Sequence, residues 1–506
     1  MIIAFNHTIF SIFNLGDFMK KIVFSASLLA LALTAASTQA ASLQSAADAL
    51  KVSNTKSIEF SATGRWFQFG QAPAPELAWP AFEVSSYTAD INYEKSAARV
   101  QIVRKQLVEA GRNRPAPLEQ KPDQYINNGV AWNLAAPQNS PAGTAPVASS
   151  QPAAVEERNA EIWSTPHGFL KAALANKAAE KPAAGGVEVS FTAGGKYRYV
   201  GTINANNQVE SIKTWIDNPV LGDTLYETKF SNYKDFQGTQ FPQHIVRNQG
   251  GHPILDIQVS AVKANLPVEL ATPEPLTPAA AVKVESKELA SGVFFLTGGT
   301  HNSLAIDQKD HIVIIEAPQN EERSVAVIAK AKELIPGKPI KYLVNSHAHF
   351  DHSGGLRTYV DAGATIVTHE GNKAYYQKIW AQPHTIKPDL LAASKKAATF
   401  QTFKDKYELT DGKRKIEIYP IAGNSHNDAF ALVYLPAEKI LIEGDAYTPL
   451  AAGAPLPASV NPYSVNLYEN IQKLKLDVNQ IAALHGSTAT LADLKTFIGV
   501  KEVGLK

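Results

Sequence analysis

The chain contains no cysteine in 506 residues, which excludes disulfide bonds and any thiolate metal ligand. Its only methionines are Met1 and Met19, so everything after residue 19 is free of sulfur. No apolar run reaches the length of about eighteen residues that would indicate an internal transmembrane helix. An excess of either charge is also missing: 48 basic against 47 acidic side chains leave a net charge of +1. Such a balance offers no basic face for nucleic acid and no acidic tail. The composition carries no signal for an oligomeric state. Hydrophobic residues make up 45% of the chain, enough for sizeable cores, and the length implies two domains.

The N-terminus has the pattern of a cleavable export signal over residues 1–40. Met19-Lys20-Lys21 supplies the positive start, Ile22–Ala36 the apolar stretch, and Thr38-Gln39-Ala40 the small residues before a cleavage site. The true start is expected at Met19, and the mature chain near Ala41, in a bacterial periplasm or secreted.

Residues 41–263 read as a β-rich (α+β) domain. Ser57–Phe69 alternates with the strand period and is rich in aromatics. Further strands are expected at Ala89–Tyr93, Val187–Thr192, Tyr197–Ile203, Val209–Ile216 and Ile254–Val262. Asn204-Ala205-Asn206-Asn207 marks a hairpin turn between two of them. An Ala/Pro-rich insert spans about 135–186; its Pro-rich part is expected as an exposed loop and Pro166–Lys177 as a helix. This pattern resembles the half-barrel of periplasmic lipoprotein-carrier proteins. Trp66, Phe67 and Phe69 are expected in the core rather than in a ligand groove.

Residues 264–282, with Pro267, Pro273, Pro275 and Pro278, read as an extended linker. From 283 the character changes to strands alternating with helices, an α/β layered domain. The strand Ile340–Val344 runs into His347-Ala348-His349-Phe350-Asp351-His352, three imidazoles and a carboxylate in six residues. Residues two apart in an extended segment point the same way, so His347 and His349 can grip one ion together. Asp351 and His352 follow the turn and suit a second ion about 3.5–4 Å away. Three later apolar strands each end in a further candidate ligand: His426, Asp445 and His485. Ligand sites in layered α/β folds collect at such strand ends.

The order His347-x-His349-x-Asp351-His352, then His426, Asp445 and His485, resembles the metallo-β-lactamase fold superfamily of metal-dependent hydrolases over 283–506. The resemblance implies a four-layer αββα fold and two metal ions. His347, His349 and His426 would bind the first, Asp351, His352 and His485 the second, with Asp445 bridging. Imidazole and carboxylate donors suit two Zn2+, with iron or manganese as alternatives. A metal-bound hydroxide would act on an ester, thioester, lactone or related bond, with Asp351 orienting it and moving a proton. The lack of cysteine departs from the cysteine-using β-lactamases, and Asp445 departs from the histidine-rich class. Asn427-Asp428-Ala429 departs from the family's usual turn after the third histidine. The alternatives are a periplasmic carrier with a structural metal domain, a mononuclear-iron oxidase of the same fold, or a β-lactamase. His301 and Asn302, in the loop Gly298–Ser303, are candidates for polarising a substrate carbonyl. His369, His384, Tyr447 and Tyr463 lie in segments within reach of such a site.

Overall fold

The computed structural model describes residues 41–136, 143–274, 276, 282–451 and 453–500. The expected export signal over 1–40, the middle of the Pro-rich insert and the linker prolines Pro275 and Pro278 lie outside the described residues. Alternation of apolar and polar side chains between Ser57 and Ala264 produces one antiparallel sheet of fourteen strands. Its centre is the strand Ser57–Phe67, paired with Ala81–Asn92 on one side and His252–Ala264 on the other. From there, successive antiparallel strands lead outward to Val147–Ser150 at one edge and Ala179–Ala183 at the other.

One face of this sheet is apolar and is covered by the helices Leu43–Ala49 and Pro166–Ala175. Phe169 packs so closely on the strand Tyr197–Asn204 that a Cβ at Gly201 would lie 2.3 Å from its ring. The Pro-rich insert is more ordered than its composition suggests. It contributes the strand Val147–Ser150, the helix Val155–Trp163 and the edge strand Ala179–Ala183. Buried Arg158 anchors that helix by donating to the carbonyls of Tyr125 and Trp132. Phe67 and Phe69 pack against a second small core around Trp79, Ile216 and Tyr226, where Phe69 also meets Phe350 of the histidine motif edge-on.

Beyond Glu285 the chain forms two sheets, of seven and six strands. The seven-stranded sheet has its inner face against the six-stranded one, joined by Val293, Phe295, Ile306, Val344, Ile418 and Ile442. Its outer face carries the helices Glu321–Leu334, Leu356–Asp361 and Glu370–Trp380. The helices Pro462–Lys473 and Leu491–Phe497 cover the outer face of the six-stranded sheet. This is the αββα order: two sheets back to back between two helical layers. Near-continuous burial along Ile312–Ile315, Ala431–Leu435 and Ile440–Glu443 follows from having both faces covered. Among the described residues no helix is long and apolar enough to cross a membrane.

Candidate metal centre

Four strand ends deliver the site. Ile340–Val344 pairs parallel to both neighbours in the seven-stranded sheet and releases the motif at its carboxyl end. Asn345 then staples the motif from beneath. Its amide donates to Glu316 and to the carbonyls of His347 and His352, while Tyr376 and Thr368 donate to its oxygen. On the facing sheet His426 sits between the strands Lys415–Pro420 and Ala431–Leu435, Asp445 just after Ile440–Glu443, and His485 just after Gln480–Ala483. Buried Glu443 shapes the Asp445 turn by accepting from the backbone N–H groups of Ala446 and Tyr447.

The seven sequence-predicted ligands converge, and the structure adds His301. They form two groups whose ligand atoms lie within 4.8 Å of one another: His347, His349, His426 and Asp445, then His301, Asp351, His352 and His485. Asp445 stands between them. Its Oδ2 is 2.7 Å from His426 Nε2 and 3.3 Å from His347 Nε2, while its Oδ1 is 2.6 Å from His485 Nε2 and 3.2 Å from His352 Nε2.

Two observations test whether these donors fit metal ions. His349 Nδ1 is buried with no hydrogen-bond partner, a position that burial penalises unless something fills it. His347 and His426 also bring Nε2 atoms to 3.2 Å, and His352 and His485 to 3.0 Å. Imidazole lone pairs facing at that distance suit a shared cation. The set of nitrogen and carboxylate oxygen donors fits divalent metal ions.

Electrostatics favour the ligating forms of His347, His349, Asp351 and Asp445. Burial pushes His347 down to about 4, aided by the charge on His352. Burial and the neighbouring His347 and His426 likewise hold His349 well below its ordinary range. His352 moves the other way, because the Asp445 and Asp351 carboxylates outweigh its burial. Burial opposes ionisation of Asp351 and Asp445, but His352 beside both keeps them low. The fully buried Glu316 accepts from His352 Nδ1 at 3.1 Å, and from Ser346, so it sets the ring's orientation.

His301 and Asn302 differ from their expected role. His301 is not a free carbonyl-polarising donor: its Nε2 lies 3.1 Å from Asp351 Oδ2, and its segment bridges to His485. Asn302 points away from the centre and donates to the carbonyls of Ala483 and Gly486, so it braces the His485 loop instead. His369 caps the helix Glu370–Trp380 by accepting from Gly371 N–H, and His384 lies by Asp389, so neither joins the ligands. Tyr447 is buried against Phe497, whereas Tyr463 does reach the site, edge-on to His426. Sequence reasoning missed Asn345, Glu316 and Gln71, whose amide donates to Asp351 Oδ1 at 2.8 Å.

Residues 296–453 match the family model described as the Metallo-beta-lactamase superfamily. Among solved structures the chain is similar to a metallo-beta-lactamase from Pontibacter korlensis, at 21% identity over 43% of this chain and 98% of that one, with a TM-score of 0.33. A metallo-beta-lactamase from Hirschia baltica shows 18% identity over 43% and 97% of the chains, with a TM-score of 0.32. The flavodiiron protein from Giardia intestinalis shows 19% identity over 43% and 58%, with a TM-score of 0.33. None of the curated proteins compared with the chain matches it. Residues 296–453 thus match the metallo-beta-lactamase superfamily model, and with His485 they carry two groups of histidine and carboxylate side chains that could hold metal ions.

Proposed function

We propose that the protein is an exported dinuclear zinc hydrolase that cleaves an ester, thioester, lactone or related bond in a small molecule. The observation that carries the reading is Asp445, whose two oxygens face two separate groups of histidines. His347, His349 and His426 would hold one ion, and Asp351, His352, His485 and His301 the other, with Asp445 shared between them. Bound there, the two ions would acidify water and polarise the scissile carbonyl. Asp351, kept ionised beside His352, can accept a hydrogen bond from the attacking water and carry its proton towards the leaving group. Tyr463, edge-on to His426 and with its hydroxyl 3.3 Å from Arg114, walls one side of the centre. The Met19–Ala40 pattern supports export, which predicts a mature N-terminus at Ala41 by mass spectrometry.

The test is a hydrolysis screen of the zinc-loaded chain on ester, thioester, lactone, phosphodiester and β-lactam substrates, alongside metal analysis. The expected result is about two zinc ions per chain and turnover of one of the first three classes. Asp351→Ala should lower that turnover by about 100-fold or more. Unchanged turnover in the variant would overturn the mechanism. Turnover confined to β-lactams, or a single iron with redox activity, would replace the function.

A further inference from the structure

The segment 68–80 joins two central strands of the fourteen-stranded sheet; Trp79 packs back on that region, against His252, while Phe69 to Pro73 meet the histidine motif and the turn after His426. Phe350 N–H donates to the Gly70 carbonyl at 3.2 Å, and Asp428 N–H to the Pro73 carbonyl at 2.7 Å. Phe69 packs edge-on to Phe350 with ring centres 5.1 Å apart. Gly70 takes a positive φ of 73°, and a Cβ there would lie 2.5 Å from the Phe350 ring. Between these anchors, Gln71 Nε2 donates to Asp351 Oδ1 at 2.8 Å, and His349 Nε2 lies 3.0 Å from the Ala72 carbonyl. Asn427 Nδ2 donates to that same carbonyl at 3.3 Å.

Building on the metal-centre reading above, we infer that Gln71 and Ala72 are positioning residues of that centre, one for a ligand of each ion. A carbonyl oxygen only accepts, so the contact with Ala72 requires the proton on His349 Nε2. That fixes the tautomer and leaves the buried, unpartnered Nδ1 with its lone pair free for the first ion. A carboxylate likewise only accepts, so Gln71 must present its NH2 to Asp351 Oδ1. Asp351 Oδ2 is then left facing His301 at 3.1 Å and His352 at 3.7 Å, on the side of the second ion. Ala72 precedes His349 by 277 residues, so the β-rich region supplies the outer support for ligands carried by the hydrolase layers. Partners that orient metal ligands in this way typically alter metal affinity by about 10–100-fold when removed.

The experiment measures both zinc affinities of the full chain by chelator competition, with visible absorption of the cobalt-substituted protein as a second readout. Gln71→Ala should weaken one ion by about tenfold or more and shift the cobalt bands, leaving the other ion and apo thermal unfolding unchanged. Gly70→Ala, which pushes the segment off Phe350, should weaken both. Asp223→Ala cuts the hydrogen bonds from the Thr385 and Ile386 N–H groups at another link between the two regions and should leave both affinities as they are. Two ions held as tightly in Gln71→Ala as in the unaltered chain would overturn the inference alone. So would an equal loss in Asp223→Ala, since general docking would then explain the effect. An unaltered chain that takes up no metal would overturn the metal-centre reading together with this inference.

Discussion

Replacing Glu316 by glutamine probes the metal centre without touching a ligand. Glu316 is fully buried, and although burial opposes its charge, the hydrogen bond and charge of His352 keep it ionised. Its Oε2 accepts from His352 Nδ1 and Ser346, and its Oε1 accepts from Asn345 Nδ2 at 2.9 Å. Glutamine has nearly the same shape but only one accepting oxygen. Oriented to keep His352 and Ser346 satisfied, it turns its NH2 towards the Asn345 NH2; Asn345 keeps the carbonyls of His347 and His352, but the new amide NH2 is left without an acceptor. An unsatisfied buried donor costs about 1–3 kcal/mol, so the metal-free chain should unfold more easily by that amount. A second loss is specific to metal binding: the negative charge that raises the basicity of His352 is gone. A weakening of about 10–100-fold corresponds to about 1.4–2.8 kcal/mol at the ion His352 binds. Denaturant unfolding of the apo variant measures the first quantity, and chelator competition the second. Unfolding free energy and both affinities within error of the unaltered chain would refute the reasoning.

Away from the centre, His167 should make stability sensitive to acid. It is buried, its Nε2 contacts the Leu50 carbonyl, and burial lowers it from 6.5 to about 4. The unfolded chain therefore binds the proton first, and stability falls as pH drops from about 6.5 towards 4. At about 1.4 kcal/mol per pH unit the loss approaches about 3 kcal/mol. His167→Gln should flatten that acid limb in denaturant titrations, and an unchanged limb would show that His167 is not its source. In the same core, Phe169→Ala should cost about 3–5 kcal/mol. Gly201→Ala should also destabilise, because its methyl meets the Phe169 ring. Combined, the two should fall short of the sum of the single effects by more than about 0.5 kcal/mol, measured as a double-mutant cycle. Strict additivity would mean that the two positions do not share that space.

The seven converging side chains were legible because each sits where a local pattern changes. An apolar strand ends, a histidine or aspartate follows, and the strand's burial puts that residue at a sheet edge whatever the rest of the chain does. His301 and Asn302 show where such patterns stop. They are neighbours in a polar, glycine-rich loop, and nothing local says which of the two turns inward. The decision comes from the bridge between His301 and His485, which joins segments far apart in sequence. Glu316 is hidden for a related reason. It follows the apolar strand Ile312–Ile315 like any polar residue at a strand end, and only the fold brings it beneath His352.

The β-rich region was harder to read because composition and register pulled in different directions. Pro182 suggests a loop, yet it lies in Ala179–Ala183, an exposed edge strand of the kind that tolerates proline. Segment 68–80 exposes a deeper limit. Three of its links to the hydrolase layers use the backbone carbonyls of Gly70, Ala72 and Pro73. Every residue type offers that acceptor, so no side-chain alphabet can mark where one will be used. A trace survives only where the close approach also restricts the side chain, and Gly70 is such a place. Its positive φ and the Phe350 ring against it leave no room for a Cβ. A glycine followed by Gln-Ala-Pro between two aromatic-rich strands looks like an ordinary connection. Its meaning depends on Phe350, which is itself unremarkable until His349 and Asp351 on either side of it are recognised as ligands. Support for the centre thus becomes readable only after the centre does, in the reverse of their order along the chain.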